Sequence, residues 1–175
     1  MRNSERQVEF VDFVRAHRSD LVRTAVLLCA GDEAYAEDLV QTTLTKLYVA
    51  WGKVRRADAP LAYARTSLTN TFFDECRRAH RRRELSTAEP FLADAPTHES
   101  DHALRRVVLG ALGELAPSQR AVVVLRHWHD LEVTEVARIL GCSEGNVKSQ
   151  TARGLAAMKQ ALIRQGAANS AGGRP

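Results

Sequence analysis

A chain of 175 residues with 45% apolar and 26% charged side chains can build one domain or two small ones. It contains no apolar run near the roughly 18 residues of a membrane span. Met1–Gln7 lacks the apolar block of a secretory leader, and Cys29, Cys76 and Cys142 are too scattered for a disulfide frame, so a cytoplasmic protein is predicted. The net charge of +4 is unevenly spread. Residues 1–76 hold 10 basic and 11 acidic side chains, and 77–83 add five arginines. Residues 84–103 hold five acids and no Lys or Arg, and 104–175 hold 10 basic against 5 acidic groups. Two basic regions parted by an acidic strip predict two nucleic-acid contacts joined by a linker.

Helical periodicity opens with Val8, Val11, Val14, Leu21, Val22, Ala25, Val26 and Leu28, and Gly31 ends it. Asp32 is placed to cap a second helix whose stripe is Ala36, Leu39, Val40, Thr43, Leu44, Leu47, Tyr48 and Trp51, followed by Gly52. Its polar face carries Glu37, Asp38, Gln41, Thr42, Thr45 and Lys46. Pro60 suits the first turn of a third helix that buries Leu61, Ala64, Leu68 and Phe72 and exposes Tyr63, Arg65, Thr66, Asn70 and Asp74. This helix runs into Arg77, Arg78, Arg81, Arg82 and Arg83. Five arginines in seven residues exceed what a helix C-terminus needs for its dipole, which favours phosphate contact.

Residues 85–103 break every period and read as a linker reaching about 60–65 Å when extended. A helix over 104–115 and another opened by Pro117 follow, and the Gly-, Ala- and Ser-rich residues 166–175 predict a disordered tail. Between them, Asp130–Leu155 has the pattern of a helix-turn-helix, whose second helix fits the DNA major groove. Thr134 is placed to cap its first helix, Ala137 is small at the crossing, Gly141 suits the turn and Ser143 caps the second helix. Val147, Thr151, Leu155 and Met158 are predicted to face the core. Glu144, Asn146, Lys148, Ser149, Gln150, Ala152 and Arg153 are the candidate reading residues, of types that contact base edges and phosphates. No strand alternation appears, so the fold predicted is all-α, with two small domains at 1–84 and 104–165.

His127-x-His129 with Cys142 fits no familiar zinc spacing, and neither a phosphate loop nor a nucleophile motif is present. A chain without cofactor, metal or catalytic residues is predicted.

Ala36-Glu-Asp-Leu-Val-Gln-Thr-Thr-Leu-Thr-Lys-Leu-Tyr48 resembles the core-binding helix of bacterial RNA polymerase sigma factors. Asn70-Thr-Phe-Phe-Asp74 with Arg77-Arg78 resembles their promoter-melting helix. Leu115–Arg126 and Gly145–Ser149 are similar to their −35-reading domain. The resemblance spans about residues 8–163 and is to the extracytoplasmic-function (ECF) class, which has sigma domains 2 and 4 alone. Thr42, Thr66, Asn146 and Gln150 depart from residues common in that class. The resemblance implies that Asp38, Gln41, Thr42, Thr45 and Lys46 meet core polymerase (its β′ and β subunits). It implies that Arg55, Arg56, Tyr63, Arg65, Thr66, Asn70, Asp74, Arg77, Arg78 and Arg81 meet −10 DNA, and that residues 144–153 read the −35 element. An anti-sigma factor is a further partner the class often has. The alternative from the residues alone is a stand-alone helix-turn-helix regulator acting on a palindromic site.

Overall fold

The structure is a computed structural model that describes residues 3–84 and 101–171. All regular elements among these residues are helical. The helices are α1 (Asn3–Leu28), α2 (Glu33–Val49), α3 (Trp51–Val54), α4 (Pro60–Glu84), α5 (Asp101–Gly113), α6 (Pro117–Val123), α7 (Val133–Leu140) and α8 (Glu144–Ala171). A π-helical turn, Val124–Trp128, follows α6. The chain divides into two compact units, Met1–Val26 with Glu33–Pro90, and Leu27–Asp32 with Phe91–Pro175.

In the first unit the predicted stripe of α2 is buried at Ala36, Leu39, Val40, Thr43 and Leu47. It meets α4, whose Ala64, Leu68 and Phe72 recur at four-residue spacing and are equally buried. Each large apolar side chain removed from water in this way contributes about 1.5–3 kcal/mol. The buried Thr43 hydroxyl donates to Leu39 O at 2.8 Å, so a polar atom enters the core satisfied. The stripe does not continue as one helix to Trp51. The chain breaks at Ala50 and restarts as α3, which contains Gly52 and leaves 55–59 as the loop before α4. An aromatic cluster fixes this corner, with Phe10 5.1 Å from Tyr48 and 5.2 Å from Trp51, and Phe13 5.1 Å from Trp51. Arg6 donates to Tyr48 O and Val49 O at 3.1 and 3.2 Å, satisfying carbonyls that the end of α2 leaves open.

In the second unit α6 is short because Pro117 starts it and the π-helical turn ends it. Its residues Ala121, Val122 and Val123, with Val124 and Leu125 after them, are all buried, and α6 and α7 both pack on α8. Arg120 donates to Gly113 O and Leu115 O at 3.3 and 3.1 Å, capping the end of α5. The buried α8 positions are Val147, Gly154 and Ala161, with Thr151 and Met158 half-buried between them. The stripe therefore runs 4, 3, 4, 3, and Leu155, predicted to face the core, is 41% exposed. A Cβ at Gly154 would stand 2.8 Å from Val123 Cγ2 and 3.4 Å from both Gln119 Cβ and Gln119 O. The helices approach so closely there that only hydrogen fits, and Leu155 is turned outward.

Two boundaries also move. The helix predicted from Leu104 begins at Asp101, and α8 continues to Ala171 where a disordered tail is predicted from Gly166. A lone glycine costs a helix only about 1 kcal/mol, too little to end one with no proline before position 175. Residues 85–100 and 172–175, which hold most of the acidic linker and the end of the tail, lie outside the described residues.

Gly154→Ala is expected to destabilise the second unit by about 1–3 kcal/mol through overpacking. Urea unfolding followed by circular dichroism measures it. An unchanged midpoint would mean that α6 and α8 separate without cost.

Candidate nucleic-acid interface

The helix-turn-helix is built as its residues dictate, with one change. The first cap is not Thr134, which lies exposed inside α7, but Glu132, whose N–H donates to Glu135 Oε2 at 3.3 Å. Extended Glu132 provides the non-helical geometry that a cap needs. Gly141 is left-handed (φ 61°, ψ 37°), and the Cys142 N–H returns to Ala137 O at 3.0 Å, which closes the turn. Ser143 Oγ then accepts the Asn146 N–H at 3.2 Å, so α8 starts at Glu144. Arg126 donates to Leu131 O and holds the preceding loop, where Asp130 takes φ 52°.

Val147 anchors the start of α8 in a core shared with Val122, Leu125, Val136, Ala137 and Ile139. Glu144, Asn146, Lys148, Ala152 and Arg153 are exposed, whereas Ser149 and Gln150 are half-buried. Ser149 donates to Asn146 O at 3.0 Å, which occupies its proton within the helix. Among the described residues Lys148 and Arg153 form no ion pair. Two cations whose charge is uncompensated stand on the face that the turn presents. Arg138 on α7 is exposed too and is absent from the sequence reading. It is basic and lies on the first helix of the motif, whereas the reading pattern is that of the second.

The first unit carries another basic surface. An open pocket of about 520 Å³ is lined by Gly52, Lys53, Arg56, Ala57 and Tyr63. Lys53 Nζ lies 6.0 Å from the Tyr63 ring centre, within cation–π reach. Lys53 escapes the sequence reading because Gly52 is taken there as a helix end, yet it stands three residues before Arg56, one turn of α3 and its extension. Along α4, Asn70, Arg77, Arg78 and Arg81 are exposed. The side chains of Arg82 and Arg83 lie outside the described residues.

Other residues of the predicted set are engaged within the unit. Arg65 Nε is 3.1 Å from Asp20 Oδ2, in a pair whose side chains are only 22% and 25% exposed, and Arg55 pairs with Glu9 at 3.4 Å. Thr66 donates to Ala62 O at 2.9 Å. Asp74 divides its carboxylate, with Oδ1 2.6 Å from Arg77 and Oδ2 3.3 Å from Lys46. Burial pushes the Asp74 pKa up, but hydrogen bonds from Lys46 and Arg77, with their charges, outweigh it and hold it below the usual carboxylate value.

On α2, Asp38, Gln41, Thr42 and Thr45 are exposed, and Thr45 donates to Gln41 O at 2.9 Å. Glu37 pairs with Arg18. Lys46, predicted with them, is exposed too and also reaches across to α4, where its Nζ lies 3.1 Å from Thr71 Oγ1. His127, His129 and Cys142 form no cluster, and no group of three or more metal-type side chains occurs among the described residues. None of the described helices is long and apolar enough to cross a membrane.

Two helical units, each with a basic face on a locked helix, define a nucleic-acid-binding protein. Family models agree on which kind. Sigma-70 region 2 matches residues 13–82, and Sigma-70, region 4, matches residues 105–158. The RNA polymerase sigma-E factor of Streptomyces coelicolor is 37% identical over 158 residues, covering 89% of this chain and 87% of that protein. The ECF RNA polymerase sigma factor SigL of Mycobacterium tuberculosis is 30% identical, covering 83% of this chain and 84% of that one. The sigma factor RpoE of Bartonella quintana, solved in complex with the anti-sigma factor NepR, superposes with a TM-score of 0.74 at 25% identity, over 89% of this chain and 97% of that chain. The chain belongs to the sigma-70 family, in its ECF class, and is a sigma factor for promoter-directed transcription.

Ser143→Ala is expected to cost about 1 kcal/mol of second-unit stability, since it removes the acceptor for the Asn146 N–H. Comparing denaturation midpoints of the two chains measures this. No change would mean that water caps α8 equally well.

Proposed function

We propose that the first unit docks on core RNA polymerase through the exposed α2 residues Asp38, Gln41, Thr42 and Thr45, and that it meets −10 DNA through α4 and the corner at α3. There the arginines Arg77, Arg78 and Arg81 contact phosphates. Tyr63, with Lys53 and Arg56 beside it, offers an aromatic ring and positive charge to an unstacked base. In the second unit α8 enters the −35 major groove, and Asn146, Lys148 and Arg153 make the contacts. Glu144, Ser149, Gln150 and Ala152 shape the fit around them.

The observation that carries this reading is the pair of free cations on α8. Val147 and Gly154 lock the helix from behind, Ser143 fixes where it starts, and Lys148 and Arg153 stand outside with no ion partner among the described residues. Sequence is read by forked donors and phosphate is gripped by point charges. The chain itself supplies no reaction. It contributes recognition and strand capture, and an anti-sigma factor that covers these faces would silence it. Residues 85–103, being acidic, join the two contacts without competing for DNA.

The deciding experiment is in vitro transcription from genomic fragments with core polymerase and this chain, with transcript starts mapped. Starts at a shared −35/−10 pair support the reading. Protection of a palindrome without polymerase would favour the stand-alone regulator instead.

Two substitutions localise the roles. Asp38→Arg with Gln41→Ala is expected to lower core affinity at least about tenfold at unchanged helicity, since it reverses a charge and removes an amide from a docking face. Native gels of holoenzyme formation read this, and full complex formation would remove α2 from the interface. Arg153→Ala is expected to relax one or two −35 positions by about 1–3 kcal/mol, while Lys148→Ala weakens all sequences alike. Selection from a randomised −35 library separates the two, and an unchanged motif for the Arg153 variant would move specificity to Asn146 and Gln150.

A further inference from the structure

Lys46 lies on the helix whose outer face carries Asp38, Gln41 and Thr42, yet its ammonium is spent on α4. Nζ is 3.1 Å from Thr71 Oγ1 and 3.3 Å from Asp74 Oδ2. The Thr71 hydroxyl, 1% exposed, donates its proton to Ser67 O at 2.8 Å and so presents a lone pair to the lysine. Lys46 is therefore held by two acceptors one turn apart on the neighbouring helix. The other Asp74 oxygen holds Arg77 at 2.6 Å, and Arg77 is 64% exposed beside the exposed Arg78 and Arg81.

We propose that Lys46 is a positioning residue for promoter contact: by holding one oxygen of the Asp74 carboxylate, it allows the Arg77 guanidinium to pass from Asp74 to a DNA phosphate. This rests on the reading that the arginine face of α4 meets DNA. The physical need is plain. A carboxylate on that face repels phosphates and retains the arginine that should leave it. With Lys46 in place the carboxylate stays neutralised when Arg77 departs, and an exposed Asp–Arg pair is weak enough for a phosphate to replace the carboxylate. Without Lys46, Arg77 must either stay with Asp74 or leave a bare negative charge behind.

The test uses holoenzyme and a labelled promoter duplex taken from the mapped starts, titrated over a range of potassium chloride. Lys46→Gln is expected to weaken promoter binding about 3- to 10-fold near 0.1 M salt and to make the log–log salt slope shallower by about one phosphate contact. Promoter binding is read with core polymerase in saturating excess, and core affinity is measured separately on native gels, so that a change in docking is not mistaken for a change in DNA contact. Adding Asp74→Asn to Lys46→Gln should restore promoter binding, and Lys46→Arg should retain it. A general packing defect would produce neither the slope change nor the rescue.

The proposal is overturned if Lys46→Gln lowers core affinity and the holoenzyme that still forms binds promoter normally. It is also overturned if Asp74→Asn brings no rescue. Should Lys46→Gln alone fail to fold, the double variant is compared with Asp74→Asn alone. Equal binding supports the proposal, and a further loss overturns it. A wild-type chain that forms holoenzyme but protects no promoter would instead sink the functional reading beneath it.

Discussion

The packing of α2 on α4 is the constraint on which the first unit depends. Each helix gives up one apolar face to the other, so the faces left over are fixed in direction. For α2 these are the polar residues from Asp38 to Thr45; for α4 they are Asn70 and the arginines. A shift of one residue in either helix would turn the face by about 100°, carrying polar side chains into the core. The buried hydroxyls of Thr43, Thr69 and Thr71 each donate to a carbonyl one turn back, so these polar atoms enter the interior of the unit satisfied.

The second unit solves a related problem with fewer parts. One helix, α8, serves as the spine of the core and as the exposed face that carries Lys148 and Arg153. That economy demands accuracy in its rotation, and it is obtained from an absence: at Gly154 the missing side chain lets Val123 and Gln119 close in. Contact at that distance sets the azimuth of α8 more tightly than apolar burial alone, because dispersion falls steeply with separation whereas hydrophobic burial is non-directional. The start of α8 is set independently by the left-handed Gly141 and the Ser143 cap.

Charge is distributed with similar discrimination. Arg65 is tied to Asp20 of α1 by a partly buried pair and Arg55 to Glu9 of α1 by a more exposed one. Arg77 and Arg78 make i,i+3 pairs with Asp74 and Glu75 that are well exposed. Pairs of the second kind are worth little and are easily exchanged for a phosphate, which releases counterions that the carboxylate cannot match.

The sequence alone determined the helical class, the order of elements, the helix-turn-helix and its Gly141 and Ser143, because periodicity and capping are local rules read over a few residues. It also located both basic regions, since net charge over a segment needs no coordinates. What it could not decide was which side chain wins when several local choices are nearly equal. Glu132 displaced Thr134 as a cap, the chain broke at Ala50 within a stripe that periodicity carried through to Trp51, and α8 continued past Gly166, choices among local preferences that differ little in energy. Nor could it give the destinations of long side chains: a helical wheel leaves Lys46 and Arg65 without partners, but they pair with Asp74 and Asp20, 28 and 45 residues away. Only tertiary structure brings those carboxylates within reach, and Coulomb attraction then depends on distance and burial that no spacing along the chain encodes.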